Sequence, residues 1–411
     1  MKLKLVNCAI VDALDPNPRP GAAVHIVDDR IAWVGPASSA PEFPAARVVD
    51  LEGGYLLPGL VEAHTHLFFL DPKYPRPQNI AAHTMYCAQQ AVNALKGGFT
   101  GLRNLADGFG VDVALRDAFN AGYLLGPRLW VTGEALTPSA GHVADREEMW
   151  GIRVCNGVEE WRKAARDQVQ IGADYVKVLI TGGAIGHASD ITGATTVVEE
   201  ELQAAVQVAK SRNRPLIVHA TAREGILMGI RAGARSIEHG YYLDNEIVDL
   251  LVKTGTFLCP TLSITHQIPS QLEDDYERAT FAAYQRAPWK VKRAEERLEA
   301  HRASFHLALK AGVKLLVGSD FAPPPGAGHC ELAFMVRNGM TPWQAVVAAT
   351  RNAAEAVGEL DQLGTVEAGK LADLIAVPEN PLEDTRHLRH PRLVVRGGQV
   401  AVDEYTWKER E

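Results

Sequence analysis

The chain has 411 residues, of which 46% are hydrophobic and 22% charged, the composition of a globular protein with a sizeable core. Its formal net charge of −8 argues against the basic surface that binds nucleic acid, so we expect no nucleic-acid partner. The apolar runs fall short of the ~18 residues that a membrane helix needs, so we expect no membrane partner either.

The five cysteines are scattered without a Cys-x-x-Cys pair, and their odd number does not suit a framework of disulfides. We therefore expect free thiols in a reducing compartment. The first residues alternate polar and apolar like a strand and lack the continuous apolar core of a signal peptide. Together these features predict a cytoplasmic protein.

Short strand patterns dominate both ends of the chain. Apolar runs that are separated by turns and show no helical period occupy residues 3–11, 23–27, 31–34, 47–51, 374–377 and 393–395. We therefore predict that residues 1–57 and 362–411 form one small β-sandwich domain.

Between residues 58 and 361 the pattern changes to strands that alternate with helices. Eight apolar runs, most of them followed by the turn residues expected where a strand enters a loop, end near His66, Asn104, Gly133, Ile180, Ala220, Gly240, Thr261 and Asp320. Eight strands alternating with helices favour a (β/α)8 TIM barrel over an open, doubly wound sheet, and place the protein in the α/β class.

Residues 262–313 form a long, mostly helical insertion between the last two predicted strands. Insertions of this size are tolerated because the entropy of loop closure grows only slowly with length. Three interpretations stay open: an ordinary insertion, a lid over the site, or a contact between subunits. We expect the protein to be a homo-oligomer.

The pair His64 and His66 stands at the end of the first barrel strand. Alternate side chains of a strand face the same side, so both imidazoles project together and can bind one metal ion. The carboxyl ends of barrel strands meet at one rim, so ligands at other strand ends would join them there. Potential ligands at such positions are Lys177, His219, His239 and Asp320.

Three motifs resemble those of the metal-dependent amidohydrolase superfamily. They are Leu-Pro-Gly-Leu-Val-Glu-Ala-His-Thr-His at 57–66, Ser-Ile-Glu-His-Gly at 236–240 and Gly-Thr-Val-Glu-Ala-Gly-Lys-Leu-Ala-Asp-Leu at 364–374. The resemblance covers nearly the whole chain and implies a TIM barrel with a binuclear, usually zinc, centre. It also implies six metal ligands, namely His64, His66, Lys177, His219, His239 and Asp320.

A lysine among metal ligands needs a chemical explanation, because an ammonium group has no lone pair. In the superfamily that the chain resembles, this lysine reacts with carbon dioxide, and the carbamate bridges two metal ions. Burial of Lys177 would lower its pKa and favour the neutral amine that this reaction needs. Asp320 would bind one metal and act as general base, then general acid, for a hydroxide held by the metals. The resemblance thus implies hydrolysis of an amide-like or ester-like bond.

Lys177, followed by Thr-Gly-Gly at 181–183, is similar to the branch of prolidase-type and arginine- or lysine-releasing dipeptidases. This similarity predicts a small-molecule substrate, either a dipeptide or an N-acyl amino acid. In that branch a Gly-His pair helps to hold the scissile carbonyl, which implies a catalytic and substrate-binding role for His142. Strand alternation aims Thr221 at the pocket, and the planar fork of Arg223 suits a substrate carboxylate.

Other reactions of the superfamily stay open. They are cleavage of a carbamate or ester, opening of a cyclic amide as in imidazolonepropionase, and deamination at a single metal ion. Mononuclear deaminases and imidazolone hydrolases generally lack the lysine, so Lys177 argues against them. Non-enzymatic barrels of the superfamily usually lose ligands, whereas this chain keeps all six.

Overall fold

The computed structural model describes residues 2–69, 77–145, 151–184, 190–283, 288–321 and 326–405. The strands in these ranges are β1 (Lys2–Ile10), β2 (Arg19–Val27), β3 (Arg30–Pro36), β4 (Arg47–Asp50), β5 (Tyr55–Pro58), β6 (Leu60–Thr65), β7 (Phe99–Asn104), β8 (Arg128–Val131), β9 (Ala135–Thr137), β10 (Ile152–Val154), β11 (Val176–Leu179), β12 (Leu216–Ala220), β13 (Ser236–His239), β14 (Phe257–Cys259), β15 (Leu374–Val377), β16 (Leu393–Arg396) and β17 (Gln399–Asp403).

The α-helices in the same ranges are α1 (Ile80–Lys96), α2 (Val111–Asn120), α3 (Gly157–Ile171), α4 (Glu199–Ser211), α5 (Arg223–Ala232), α6 (Asn245–Thr254), α7 (Ser263–His266), α8 (Asp275–Phe281), α9 (Pro288–Ala311), α10 (Ala327–Arg337), α11 (Pro342–Ala349) and α12 (Arg351–Ala356). Short 3-10 helices are present at Ala37–Ser39, Pro269–Gln271 and Thr385–Arg389.

Both ends of the chain share one mixed sheet, in the order β17-β16-β15-β5-β1-β2-β3, with β4 paired to β1. The sheet is mixed because β1 is antiparallel to β2 but parallel to β4 and β5, while β5 is antiparallel to β15. Alternate residues of β1, such as Leu3 and Leu5, are buried in an apolar cluster with Leu374 and Val395. The two chain ends therefore meet, as the sequence predicts, but in a single mixed sheet. The sandwich layers and the domain limits stay predictions.

Two parallel sheets form the middle of the chain. One has the order β6-β7-β8, and the other has the order β10-β9-β11-β12-β13-β14. All residues of β11 and β12 are buried, which is typical of parallel strands that are covered on both faces. This arrangement agrees with the predicted α/β class.

Backbone hydrogen bonds connect β8 with the approach to β11. The N–H groups of Asp174 and Tyr175 both donate to the carbonyl of Val131, at 2.8 and 3.3 Å. Strand β9 pairs with β11 only through Leu136 and Val178. These bonds therefore bring β8, the edge strand of the three-stranded sheet, next to the beginning of β11 in the six-stranded sheet.

Residues 314–321 connect the other two edges. The N–H of Leu316 donates to the carbonyl of Leu258 in β14 at 2.9 Å, and the N–H of Ala63 in β6 donates to the carbonyl of Val317 at 2.7 Å. The eighth predicted strand is thus represented by isolated parallel bridges instead of a continuous strand. Within the described ranges no closed barrel is assigned, although hydrogen bonds reach across both gaps.

Helix ends in the middle of the chain carry recognisable signals. Helix α6 begins after Asp244, whose side chain accepts from the N–H of Ile247 at 2.9 Å, and it ends at Gly255, where φ is 68°. Helix α11 begins as predicted, with Thr341 as the capping residue and Pro342 at the first helical position. No helix that the structure describes is long and apolar enough to cross a membrane.

The insertion after β14 is helical, as the sequence predicts. It contains α7, α8 and the long helix α9, and α9 packs against α6 and α7. One fixed contact is the hydroxyl of Ser304 in α9, which accepts from the N–H of Leu243 at 2.9 Å. The insertion is therefore attached to the helices that surround the parallel strands.

Candidate metal centre

His64, His66 and Asp320 form the centre of the site. The two histidines lie at the end of β6, and Asp320 lies in the segment that pairs with this strand. The Oδ1 atom of Asp320 is 3.1 Å from His64 Nε2 and 2.9 Å from His66 Nε2, and the two nitrogens are 3.3 Å apart. Two imidazole nitrogens and a carboxylate oxygen that converge in this way can bind a divalent cation.

His239 and His219 extend this centre along neighbouring strands. The ring of His239, at the end of β13, lies 5.3 Å from the ring of His64, and the ring of His219 on β12 lies 4.4 Å from the ring of His239. His64, His239 and Asp320 offer ligand atoms within 4.8 Å of one another. The structure therefore brings four predicted histidine ligands and the predicted aspartate to one place.

Backbone strain marks two of these positions. His239 has a φ of 76° and Asp320 a φ of 59°, both in the left-handed region that residues other than glycine rarely adopt. Each such residue costs on the order of 1–3 kcal/mol and persists only where the surrounding structure fixes it. Strain of this kind concentrates at functional sites, in agreement with the convergence of side chains here.

Lys177 on β11 has a buried amine without a hydrogen-bond partner in the part of the chain that is described. Burial lowers the pKa of this amine to about 8, and the negative charges of Glu238 and Asp320 only partly oppose the shift. A buried polar group without a partner is costly. Lys177 is therefore suited to a reaction that removes its positive charge.

The charge states of the site suit metal binding, because a ligating imidazole must be neutral. Burial lowers the pKa of His219 and His239 well below the usual value, and the nearby charge of Lys177 lowers it further. Burial raises the pKa of Asp320, but contacts with His64 outweigh this effect and bring the pKa well below its usual value. The imidazoles of His219 and His239 are therefore neutral at neutral pH, beside the ionised carboxylate of Asp320.

Glu238, held by Arg103, orients the predicted metal ligand His64, although the sequence patterns identified neither residue. His64 Nδ1 lies 2.7 Å from Glu238 Oε2, which leaves Nε2 free for a metal, and Arg103 Nη2 donates to Glu238 Oε1 at 2.9 Å. In the same way His239 Nδ1 lies 2.7 Å from Thr261 Oγ1. The signal that could have revealed the pair is the single Glu or Arg in each of two short strands, β13 and β7, that are otherwise free of Asp, Glu, Lys and Arg.

The ion pair of Glu238 and Arg103 is completely buried. Burial raises the pKa of Glu238, but Arg103 and then His64 outweigh burial and bring this pKa well below the usual range. Glu238 is therefore ionised at neutral pH. Its negative charge favours the tautomer of His64 that carries its proton on Nδ1.

We expect Glu238→Gln to lower both metal affinity and stability. Glutamine cannot balance the buried charge of Arg103, and removal of one partner of a buried ion pair typically costs about 3–5 kcal/mol. The weaker hold on His64 should reduce metal affinity by about 10- to 100-fold. Denaturant unfolding of the metal-free protein and competition with a chelator measure the two effects.

Glu134→Gln is the matched control, because Glu134 pairs with Arg153, whose side chain is 46% exposed. Such a surface pair contributes at most about 1 kcal/mol, and this variant should bind metal normally. Wild-type metal affinity in the Glu238→Gln protein would contradict the orienting role of Glu238.

His142 lies beside His219 at the same site. Their rings stack with centroids 4.5 Å apart. His142 Nδ1 is hydrogen-bonded to the carboxylate of Asp190, which also accepts from the N–H of Gly183 at 2.8 Å. A Cβ at Gly183 would lie 2.4 Å from His142 Nε2, so only glycine allows this approach. The sequence did not identify Asp190, because no motif connects it with His142.

Thr221 is fully buried and fixes the loop that follows β11. Its hydroxyl contacts the carbonyl of Gly182 at 2.8 Å and also the carbonyl of Thr192. Its N–H donates to the hydroxyl of Thr181 at 2.8 Å. These contacts give Thr221 a structural role, and its contact with a substrate stays a prediction.

Arg223 lies at the beginning of α5 among acidic side chains. Its Nε donates to Asp244 at 2.6 Å, its Nη1 to Glu224 at 2.9 Å and its Nη2 to Glu246. The side chain is 40% exposed. None of the contacts that the structure describes joins Arg223 to the predicted metal ligands, so its binding of a substrate carboxylate stays a prediction.

His83, Cys87 and Asp107 form a separate buried group. His83 Nε2 is hydrogen-bonded to Asp107 Oδ1 at 3.0 Å. Cys87 Sγ lies 3.6 Å from His83 Nε2 and 4.0 Å from Nδ1, beside the ring instead of in front of one nitrogen, where a shared metal would lie. Burial and the charge of Asp107 raise the pKa of Cys87, which keeps the thiol protonated. We therefore interpret this group as a buried hydrogen-bonded cluster.

Comparisons of the sequence identify relatives over almost the whole chain. The sequence model of the amidohydrolase family matches residues 55–401. Ochratoxinase from Aspergillus niger is 31% identical over 430 aligned positions, which cover 97% of this chain and 86% of that protein. Imidazolonepropionase from Shewanella oneidensis is 26% identical over an alignment that covers 86% of this chain and 85% of that protein.

Comparison with solved structures also finds relatives over nearly the whole chain. A Xaa-Pro dipeptidase with methionine bound in its active site has a TM-score of 0.85 and 28% identity, with 97% of this chain and 99% of that chain covered. The structure of Aspergillus niger ochratoxinase has a TM-score of 0.83 and 28% identity, with 98% of this chain and 96% of that chain covered. Because family, relatives and structures agree over nearly every described element, this chain belongs to the amidohydrolase family and is a hydrolase that acts on C–N bonds.

Proposed function

We propose that this chain hydrolyses amide bonds in dipeptides or N-acyl amino acids with two divalent metal ions, for which zinc is the first candidate. The observation that carries the proposal is the buried amine of Lys177, which lacks a described hydrogen-bond partner and lies in the field of Glu238 and Asp320. The likeness to a Xaa-Pro dipeptidase supports a peptide-like substrate.

We infer that the two parallel sheets form one (β/α)8 barrel, with residues 314–321 in the place of the eighth strand. The hydrogen bonds from this segment to β14 and β6, and those between Val131 and Asp174, support the inference. In such a barrel the carboxyl ends of all strands lie on one rim. The barrel thus explains why side chains from distant parts of the sequence converge.

Six residues would hold the two ions, namely His64, His66, Lys177, His219, His239 and Asp320. The neutral amine of Lys177 would first form an N–C bond with carbon dioxide and release a proton. The product is a carbamate anion with two oxygens, so a buried amine without a described partner would become a metal ligand. Two divalent ions bound there would supply Lewis acidity, which lowers the pKa of a water molecule and polarises the substrate carbonyl.

In this proposal Asp320 moves the proton of the reaction. Its low pKa keeps it ionised at neutral pH, so it can accept the proton of the attacking water and then donate it to the leaving amide nitrogen. The left-handed backbone of Asp320 holds the carboxylate between His64 and His66. This carboxylate is therefore available both as a ligand and as a base.

In this proposal His142 binds the carbonyl oxygen of the substrate. As an imidazolium, whose charge Asp190 would balance, it would donate a hydrogen bond from Nε2 to the oxygen on which negative charge develops. The N–H of Gly183 fixes Asp190, and stacking on His219 keeps the ring beside the metal ligands. Orientation before substrate binding makes such a donor more effective.

A substrate library tests the proposed function. The zinc-loaded protein is incubated with dipeptides and N-acyl amino acids, and with cyclic amides, carbamates and esters as representatives of the other reactions. We expect the best dipeptide or N-acyl amino acid to reach a kcat/KM of about 10⁴ M⁻¹ s⁻¹ or more. A cyclic amide, carbamate or ester that reacts faster than all of them would overturn the substrate assignment. No hydrolysis of any compound would overturn the proposal itself.

A further inference from the structure

Helix α9 brings an arginine to the edge of the site. Arg297 Nε donates to the hydroxyl of Thr192 at 2.7 Å, two residues after Asp190. One turn earlier, Arg293 Nη1 donates to the carbonyl of Ala184 in the same loop at 3.4 Å. The proposed function as stated so far uses neither arginine.

Arg297 lies close to the residues that are proposed to bind the scissile carbonyl. The hydroxyl of Thr192 contacts the carbonyl of Gly183 at 3.4 Å, and Gly183 packs against the ring of His142. The carbonyl of the preceding Gly182 lies 3.3 Å from His219 Nε2. A short chain of contacts therefore leads from Arg297 to the candidate metal ligands.

The guanidinium of Arg297 has neutral partners. Besides the bond to Thr192, its Nη1 donates to the carbonyl of Arg293 at 2.6 Å. Glu296 approaches Nη1 only to 3.8 Å and is 53% exposed, so this ion pair contributes little. An arginine has five N–H donors, and the contacts described for Arg297 involve Nε and Nη1 but not Nη2.

The low exposure of Arg297 favours a strong ion pair with an anionic ligand. Its side chain is only 13% exposed, and an ion pair formed in such a partly desolvated place is stronger than one on the surface. Arg223 is different, because it is 40% exposed and already faces three carboxylates. Of these two arginines, Arg297 is therefore the better candidate to bind an anionic ligand, because the carboxylates near Arg223 already balance its charge.

Apolar side chains lie between the candidate metal ligands and helix α9. A buried cluster beside the metal ligands consists of Ala184, Tyr241 and Ile264, with Phe321 packed against it. The ring of Tyr241 lies 5.9 Å from the ring of His239, and Arg293 contacts the carbonyl of Ala184. A ligand that binds beside this cluster would contact apolar groups, with the arginines of α9 near the loop that contains Ala184.

We propose that Arg297 binds the free carboxylate of the substrate and thereby selects amino acids that are acylated on nitrogen but not blocked at the acid. The planar fork of an arginine matches the two oxygens of a carboxylate, which a lysine cannot do as well. The inference rests on the proposed amide hydrolysis and adds the recognition of one substrate group to it. It also gives part of the insertion a role in specificity.

The test compares an acid substrate with its amide. Release of acetate from N-acetyl-L-methionine and from N-acetyl-L-methionine amide is measured with the zinc-loaded wild-type, Arg297→Met and Arg297→Lys proteins. We expect Arg297→Met to lower kcat/KM for the acid by about 10- to 100-fold, mainly through KM, since bonds to charged groups have this strength. The amide should be nearly unaffected, and Arg297→Lys should restore part of the loss.

Two further variants separate binding of the carboxylate from a structural role. Arg302→Met removes another arginine of α9, which contacts Asn338 at 3.1 Å and Gln271 at 2.9 Å, and it should leave the ratio of acid to amide unchanged. Thr192→Val removes the hydroxyl that fixes Arg297 Nε but keeps the guanidinium, and it should lower kcat/KM for the acid less than Arg297→Met does. Equal losses for acid and amide in Arg297→Met would overturn the proposal.

A binding measurement keeps this proposal separate from the proposed function. If neither compound is hydrolysed, calorimetric titration of the same proteins with N-acetyl-L-methionine still reports recognition of the carboxylate. Weaker binding to Arg297→Met than to wild type and Arg302→Met would support the role of Arg297 even then. Equal affinity of the three proteins, or no binding to any of them, would overturn it.

Discussion

Asp320→Asn is expected to keep the fold and to retain metal, but to lower kcat by about 10²- to 10⁴-fold, the usual contribution of a general acid–base group. The amide of asparagine has an oxygen that can still face His64 and His66, at the distances of 3.1 and 2.9 Å now observed. It cannot accept a proton from water at neutral pH. Elemental analysis and steady-state kinetics on the same sample measure the two properties.

Asp373→Asn controls for the loss of a buried carboxylate as such. Asp373 is 4% exposed and accepts from Arg128 Nε at 2.7 Å in the region of the terminal sheet. Its replacement should lower stability and leave kcat near the wild-type value. A near-normal kcat for Asp320→Asn would remove Asp320 as the group that moves the proton.

Lys177→Ala is expected to leave at most about one metal ion per chain and to abolish turnover. The proposed carbamate is the only ligand among the six that would be shared by both ions, so its loss removes the bridge between them. The buried position makes repair by another side chain difficult, because the amine is enclosed by the strands. Metal content is measured after reconstitution with excess Zn²⁺ and bicarbonate, and intact mass detects the carbon dioxide added to the wild-type lysine.

Lys370→Ala is the matched control for this lysine. Lys370 is 14% exposed, and its amine already donates to the carbonyl of Leu360 at 2.7 Å. This variant should bind the same amount of metal as the wild type. Two ions per chain in Lys177→Ala would refute the bridging role, whatever the activity of that protein.

Residues at strand ends were the predictable part of the site. Each of His64, His219 and His239 lies at or near the end of a short buried strand, and the topology of parallel strands carries such positions to the same side. The local sequence pattern was enough to predict these positions, because the strand determines the direction of each histidine side chain. Local pattern also predicts the strands at the two chain ends. It does not predict how these strands are arranged in layers, because the strands that pair lie far apart in sequence.

Residues that act through a contact between distant segments were not predictable. Glu238 contacts both Arg103 and His64, which are far from it in sequence, and sequence spacing does not predict such contacts. The two arginines illustrate the same limit. Arg223 stands next to a strand end and was predicted to bind a carboxylate, whereas Arg297 reaches the loop after β11 only through the fold of a long insertion.

The pairing of β5 with β15 has a consequence for the order of events during synthesis. Strand β5 directly precedes the strand that carries His64, and it is held by residues near the end of the chain, as in the bond from the N–H of Gly59 to the carbonyl of Asp373 at 2.8 Å. The ribosome releases the amino-terminal part first. The pairing that supports the strand of His64 can therefore form only after residues 374–377 have left the ribosome, so we expect a polypeptide truncated before β15 to lack this support for the candidate metal site.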